Sequence, residues 1–383
     1  KKNKMRGEKM KRFWAFTAVF LTVLLIGYLE PVFFPAEKPT ETAQSGRLSS
    51  AHTAVPHEEL PASGYAAYIG KDVEIFIRQF GNPKEKIKTG RTYELWTFGL
   101  TMNDYLEVNV RENKVIAIKA FNNDKMIEPF KIDMKLADLS DLMTIYSNFA
   151  FNFHHEAYDV ELMEEDMNYR PLVAFDNGSF AVLFFNQRTG GLMAVNYVNK
   201  ETLLTEMPYQ LNEGSPLPVD ITQSMTFDPV QSNQAIYVMN LVKQQESQAA
   251  FSVSTQSQKD AQTLYQTLAN HTPTILSANR QAELLQTREE HTAIHPFQLT
   301  KDEFSLLVKT SKLSLREPAG IFQEPVYDST FTILSWFSDP QYDSYFAESE
   351  TTELGVAFSN EGVLVLLEKR PENRQITESS EKL

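Results

Sequence analysis

Three clusters in this chain bring together residue types that do chemistry. His154-His155-Glu156 resembles half a metal site. In an extended segment, however, adjacent side chains point to opposite faces, so the two imidazoles cannot reach one ion without a turn. The segment reads as a solvated loop. Glu290-His291-Thr292-Ala293-Ile294-His295 is better spaced, because residues four apart share a helix face and a His pair there can grip Zn²⁺. Against it, Pro296 disfavours helical geometry at His295, and no third ligand is evident. Asp176-Asn177-Gly178-Ser179-Phe180 lacks the Gly-x-Ser-x-Gly elbow of a serine hydrolase and reads as a hairpin turn. With no Walker loop and no Gly-x-Gly-x-x-Gly, nucleotide binding has no support. Phe149, Phe151, Phe153, Phe180, Phe184 and Phe185 read as core before ligand cage.

The elements that position these residues begin with an anchor. Lys11-Arg12 precede 17 uncharged, mostly apolar residues from Phe13 to Leu29, and Glu30-Pro31 come next. As a helix that run spans about 25 Å, close to a bilayer's hydrocarbon core, and a membrane segment is expected at 13–34. The tail at 1–12 has a net charge of +6, so the positive-inside bias keeps it cytoplasmic and the bulk of the chain extracytoplasmic. A cleavable signal peptide is the rival; no small-x-small site follows Leu29, which favours an uncleaved signal anchor. The remainder holds 29 basic and 49 acidic residues, a surface that repels nucleic acid. Cysteine is absent, which excludes lipid-modified Cys and disulfides.

Residues 35–62 contain no aromatic side chain and are rich in Pro, Ser, Thr, Ala and Glu, the composition of a disordered tether. A first unit then spans about 65–121: a helical stripe at Val73, Phe76, Ile77 and Phe80, and strands at Tyr93–Phe98, Tyr105–Val110 and Val115–Ala120. A second unit occupies about 129–211, with a helical stripe from Leu136 and strands at Leu172–Phe175, Phe180–Phe185 and Leu192–Tyr197. Order of elements recurs, so 63–211 is expected to be a degenerate tandem repeat. A linker at 212–230 leads to 231–370, with helices starting near Ile236, at Asp260–Ala269 and from Leu276 to about His291. A hairpin joins Leu354–Phe358 to Val363–Leu367, and residues 371–383 form a disordered tail. The class expected is α+β.

Two passages are similar to a known family. Ile69-Gly70-Lys71, Phe80-Gly81-Asn82-Pro83, Tyr93-Glu94-Leu95-Trp96, Arg170-Pro171-Leu172-Val173 and Pro208-Tyr209-Gln210-Leu211 resemble the CAP-associated N-terminal domain of bacterial surface proteins. That domain sits between a membrane anchor and a CAP domain, the module of cysteine-rich secretory proteins. Ser335-Trp336-Phe337-Ser338-Asp339-Pro340-Gln341-Tyr342, with Glu353-Leu354-Gly355-Val356 after it, looks like the CAP segment in which a Ser-Pro turn leads to a His and then to a Glu-Leu-Gly-Val strand. The family's His is Tyr342 here. The resemblance implies an α-β-α sandwich over 231–370.

The resemblance also implies a cleft of two His and two Glu, which in some members holds a divalent cation. A phenol with a pKa near 10 is a poor Zn²⁺ ligand at neutral pH. The first His has no clear counterpart: Ala261–Leu268 and Ala278–Leu284 fit its helix loosely, and His271-Thr272 or His291-Thr292 are alternative remnants. For the family's Gly-Glu-Asn-Ile element the nearest passage is Arg316-Glu317-Pro318-Ala319. The expected cleft remnant is therefore Glu317, Trp336 and Tyr342, with no metal, no cofactor and no catalytic residue. Such a remnant implies a membrane-anchored binding or scaffolding protein of the bacterial cell envelope, its partner a wall polymer, peptide or envelope protein. A CAP-type hydrolase acting on peptide or wall material is the alternative.

Overall fold

A computed structural model of the chain describes residues 57–369, apart from 100, 102, 123–124, 219–225, 291–295, 348–351 and 360–361. The expected membrane segment, both terminal tails, most of the tether and the His291/His295 pair lie outside the described residues. Among the described residues no helix is long and apolar enough to cross a membrane.

Structure begins earlier than the tether's expected end at residue 62. Strand β1 (Glu59–Leu60) runs parallel to a strand at Leu172–Phe175, with Glu59 opposite Ala174. Asp176 Oδ1 then accepts the Ala62 amide at 2.9 Å. Pairing to a free sheet edge orders this segment, and Leu60 and Ala62 pack half-buried against the adjoining hydrophobic cluster. Helix α1 (Val73–Phe80) starts where the Asp72 carboxylate accepts the Glu74 amide and ends at Gly81, whose φ of +83° suits glycine. Strands β2 (Glu85–Lys88), β3 (Glu94–Phe98), β4 (Leu106–Arg111) and β5 (Lys114–Ala120) form the first meander.

The second unit contains α2 (Leu136–Leu142), β6 (Asn148–Phe153), β7 (Glu156–Glu161), α3 (Glu164–Tyr169), β8 (Leu172–Phe175), β9 (Phe180–Phe185), β10 (Leu192–Val198), α4 (Lys200–Glu206) and β11 (Gln210–Glu213). Strands β8 to β10 repeat the meander. Antiparallel pairing of β10 with β5, Val195 opposite Ala120, fuses both into one eight-stranded sheet of order β1-β8-β9-β10-β5-β4-β3-β2. Strands β6 and β7, with β11, form a separate three-stranded sheet.

Beyond this lie α5 (Pro229–Gln245), α6 (Thr255–Asn270), α7 (Thr272–Ile275), α8 (Ala278–Glu290), β12 (Phe297–Gln298), α9 (Lys301–Ser311), β13 (Ala319–Glu324), α10 (Ser329–Phe337), α11 (Asp343–Phe346), β14 (Thr352–Phe358) and β15 (Val363–Lys369). Their sheet has order β12-β13-β15-β14. Period-two alternation divides it: Ile321, Val356 and Val365 join the cluster of α5 and α10, while Phe322, Ala357 and Leu364 join that of α6, α8 and α9. The result is an α-β-α sandwich. Gly355 lets α6 approach β14 closely, since a Cβ there would lie 2.1 Å from the Ser257 carbonyl oxygen.

Helices α5 and α10 also pack against the eight-stranded sheet. Phe331 of α10 meets Phe184 of β9 edge-on at 5.2 Å, inside one hydrophobic cluster that spans both modules. In β4, Leu106, Val108 and Val110 face the cluster around α1. Their polar alternates point the other way, yet Glu107 and Asn109 of β4, Lys119 of β5 and Asn196 of β10 are each 0% exposed. A pattern that reads as a half-solvated strand is covered by the C-terminal module instead.

Candidate functional site

Trp336 occupies the last turn of α10, and Tyr342 ends a short 3₁₀ turn that Asp339 caps by accepting the Gln341 amide at 2.9 Å. Both border a cavity of about 230 Å³ between the two modules. The antiparallel register of β12 on β13 sets Gln298 opposite Gln323, which places their carboxamides side by side. Tyr342 donates its hydroxyl to Gln298 Oε1 at 2.6 Å, Gln298 Nε2 donates to Gln323 Oε1 at 3.1 Å, and the Trp336 indole N–H donates to that same oxygen at 2.9 Å. Burial, with Asp339 adding to it, pushes the Tyr342 phenol well above its usual pKa, so it remains a neutral donor.

The third expected residue is elsewhere. Glu317 is exposed, with φ of +43°, and borders a different groove beside Ala319, Tyr345 and Glu368. It precedes β13, whereas the β13 side chain that reaches the cavity is Gln323, six residues on. The expectation that Glu317 joins Trp336 and Tyr342 is therefore corrected. Of the histidines, His271 is exposed at the junction of α6 and α7, and it does not border the cavity. His154 and His155, with φ of +46° and +67°, form the tip of the β6–β7 hairpin, the loop their composition suggested.

The second wall escaped sequence reasoning. Arg170, Glu206, Met207 and Pro208 of the N-terminal module line the same cavity. Arg170 is held by Asp166, 2.8 Å away, and its carbonyl accepts the Tyr209 hydroxyl at 2.7 Å. Glu206, at the end of α4, is 5% exposed. Burial raises its pKa well above the carboxylate range, the charge of Asp328 adds to this, and Lys119 opposes it. Asp328, at the start of α10, goes the other way. Burial pushes it up, but the Lys119 charge and the hydrogen bonds from Lys119, Phe331 N and Asn109 outweigh that and hold it below its usual value. The signals available for this wall were Arg170-Pro171 and Pro208-Tyr209, passages that mark a family resemblance but announce no chemistry.

The donor set does not fit the divalent cation that the resemblance implies. Two carboxamides, a phenol and an indole N–H, none a good ligand for Zn²⁺ at neutral pH, share the cavity with the carboxyls of Glu206, Asp328 and Asp339, and no imidazole of the described residues joins them. Among the described residues no group of three or more His, Cys, Asp or Glu is placed to hold a metal ion.

Residues 69–209 match the family model for the CAP-associated N-terminal domain. A curated relative, the uncharacterized membrane protein YlbC of Bacillus subtilis (strain 168), is 24% identical over 171 residues, 45% of this chain and 46% of that protein. The match thus spans about half of that relative. A cysteine-rich secretory protein from Staphylococcus aureus subsp. aureus Mu50 has a solved structure with TM-score 0.62 and 17% identity, covering 82% of this chain and 95% of that one. An extracellular protein containing a SCP domain, from Bacillus anthracis str. Ames, gives TM-score 0.60 and 16% identity over 88% and 100% of the two chains. At such identities the likeness carries the fold: a mixed α+β chain with SCP-like architecture, whose residues 69–209 are similar to the CAP-associated N-terminal domain.

Proposed function

We propose that this chain is a membrane-anchored, extracytoplasmic binding or scaffolding protein of the bacterial cell envelope. Its cleft accepts an uncharged hydrogen-bonding group from a wall polymer, peptide or envelope protein. One observation carries this reading: the chain from Tyr342 through Gln298 and Gln323 to Trp336 presents neutral donors and acceptors where the CAP-like cleft is expected. Arg170, the cation in the lining, is matched by Asp166, and Asp328 by Lys119, so an anionic ligand finds no unpaired cation there among the described residues. Apolar walls with a few fixed polar groups are the usual make-up of a small-ligand site.

Anchoring is supported by the apolar run at 13–29 beside its basic tail, and by the description of the Bacillus subtilis relative as a membrane protein. A tethered module raises local concentration, which favours a weak binder.

The hydrolase alternative draws on Glu206 and Asp328, two carboxyls at one cavity whose surroundings push their protons in opposite directions. Asp328 commits Oδ1 to the Phe331 amide and Oδ2 to Lys119 and Asn109, while burial holds Glu206 toward its neutral acid, the form that cannot take a proton from water. Neither is suited to act as a base, and binding is the better account. Thermal-shift titration of the full-length chain in detergent, with an uncharged N-acetylated oligosaccharide and an uncharged tripeptide as probes, tests it. At least one probe is expected to raise Tm in the wild type and not in Gln323→Leu. Turnover of either probe, lost in Glu206→Gln, would establish the hydrolase instead.

A further inference from the structure

The contact between the two modules encloses one ammonium and three carboxyl groups. Lys119 Nζ lies 2.6 Å from Asp328 Oδ2, 3.7 Å from Glu107 Oε2 and 3.1 Å from Asn109 Oδ1. The short contact to Asp328 makes that carboxylate its partner. Glu107 Oε1 accepts from Tyr105 OH at 2.8 Å, Gln234 Nε2 at 2.5 Å and Thr330 Oγ1 at 3.1 Å, but its Oε2 is buried with no hydrogen bond. Glu206 is worse served: Asn196 donates to Oε2 at 3.3 Å, and Oε1 is buried with no partner. The other titratable groups around the cluster are the phenols Tyr93, Tyr105, Tyr209, Tyr237 and Tyr327, which bring no positive charge; at its edge Arg91 bears on Tyr93, Arg111 on Tyr327, and Arg170, itself paired with Asp166, on Tyr209. A buried carboxylate with neither a cation of its own nor a full set of donors is unstable relative to the neutral acid.

The groups come from both sides of the contact. Glu107, Lys119, Asn109, Asn196 and Glu206 belong to the N-terminal module, while Gln234, Asp328 and Thr330 belong to α5 and the start of α10. With Glu107 and Glu206 protonated, one positive charge meets one negative charge. With both ionised, one positive charge meets three negative charges in a largely buried site, where salt screens the repulsion much less than at the surface.

We propose that the contact between the modules is a proton-gated clasp. It is closed while Glu107 and Glu206 hold their protons and loosens as the medium becomes alkaline, withdrawing the Glu206–Pro208 wall from the cavity. Its direction comes from linkage: a carboxyl raised in the docked state stabilises docking fully below its free pKa, and that contribution is lost as pH rises through the docked one. Burial raises both groups, Glu206 more than Glu107, which Lys119 draws back. The gate regulates the cavity described above but rests on the interface alone, so it is read from docking and not from ligand binding.

The test is amide hydrogen exchange of the full-length chain in detergent, corrected for the pH dependence of intrinsic exchange, from about pH 6 to about pH 9, the span over which buried glutamates titrate. Peptides from β4, β5 and α10 are expected to lose about tenfold or more in protection across that span, a change of 1.4 kcal/mol per factor of ten. Glu107→Gln/Glu206→Gln, which keeps the shape and removes the titration, is expected to hold its protection throughout. Unchanged protection in the wild type, or the same loss in the double variant, overturns the clasp. Infrared spectroscopy of the wild type needs no variant. A protonated carboxyl band that persists above the pH at which exposed glutamates ionise, and that shrinks as the medium becomes alkaline, is expected; its absence above that pH also overturns the clasp.

Discussion

Trp336 and Tyr342 face each other with ring centroids 6.0 Å apart, and their polar tips are joined by the carboxamides of Gln323 and Gln298. The phenol therefore has a defined partner in the place where the family resemblance puts a metal-binding imidazole.

Removing that hydroxyl isolates its contribution. Tyr342→Phe leaves the ring packed but strips Gln298 Oε1 of a buried donor, so urea unfolding is expected to show a loss of about 1–3 kcal/mol. A variant as stable as the wild type would mean that the network contributes nothing to the cleft's shape.

Asp328 links two jobs. It caps α10 through the Phe331 amide at 2.9 Å and neutralises Lys119. Asp328→Ala leaves an uncompensated buried ammonium as well as a bare helix end, and chemical denaturation should record a loss of about 3–5 kcal/mol. Lys119→Met/Asp328→Asn, which removes both charges, is expected to recover much of that loss. Equal damage in the two variants would show that the ion pair is not the source.

The cluster also sets the pH dependence of stability as a whole. Asp328, lowered in the folded state, contributes stability above its unfolded pKa of about 3.9 and loses it as pH falls through the folded value. Glu107 and Glu206, both raised, contribute below about pH 4.3 and lose that as pH rises through their folded values. Thermal unfolding should therefore give its highest Tm in mildly acidic buffer and decline on both sides; a maximum at alkaline pH would contradict these assignments.

Close packing of α6 on β14 gives a prediction independent of charge. Gly355→Ala places a methyl 2.1 Å from the Ser257 carbonyl oxygen and 3.1 Å from the Ala261 methyl, so the helix must shift. A cost of about 1–3 kcal/mol is expected from denaturant titration.

Both meanders were legible because their apolar residues alternate cleanly, as at Leu106, Val108 and Val110, and because Asn177-Gly178 and Gly190-Gly191 punctuate them. What that alternation could not disclose is what covers the polar face: Glu107 and Lys119 have the appearance of solvent-facing charges until α5 and α10 are placed on them. Helix α10 gave no stripe, since eight of its nine residues are buried and a helix surrounded by protein shows no hydrophobic period. The β6–β7 hairpin turns at His154-His155, which lacks the glycine or asparagine that usually marks positive φ. At the site, Trp336 and Tyr342 were found by resemblance, and they do share a cavity. Glu317 was misplaced because its proximity to the sheet was judged along the chain, while Gln298, Gln323 and Glu206 meet only through strand register and module contact.

Calorimetric titration of the full-length chain with Zn²⁺ tests the neutral cleft most directly. The expected result is no saturable binding assignable to the cleft: any heat should be the same in the wild type and in Tyr342→Phe/Gln298→Leu. Stoichiometric Zn²⁺ binding in the wild type that disappears in that double variant would contradict it.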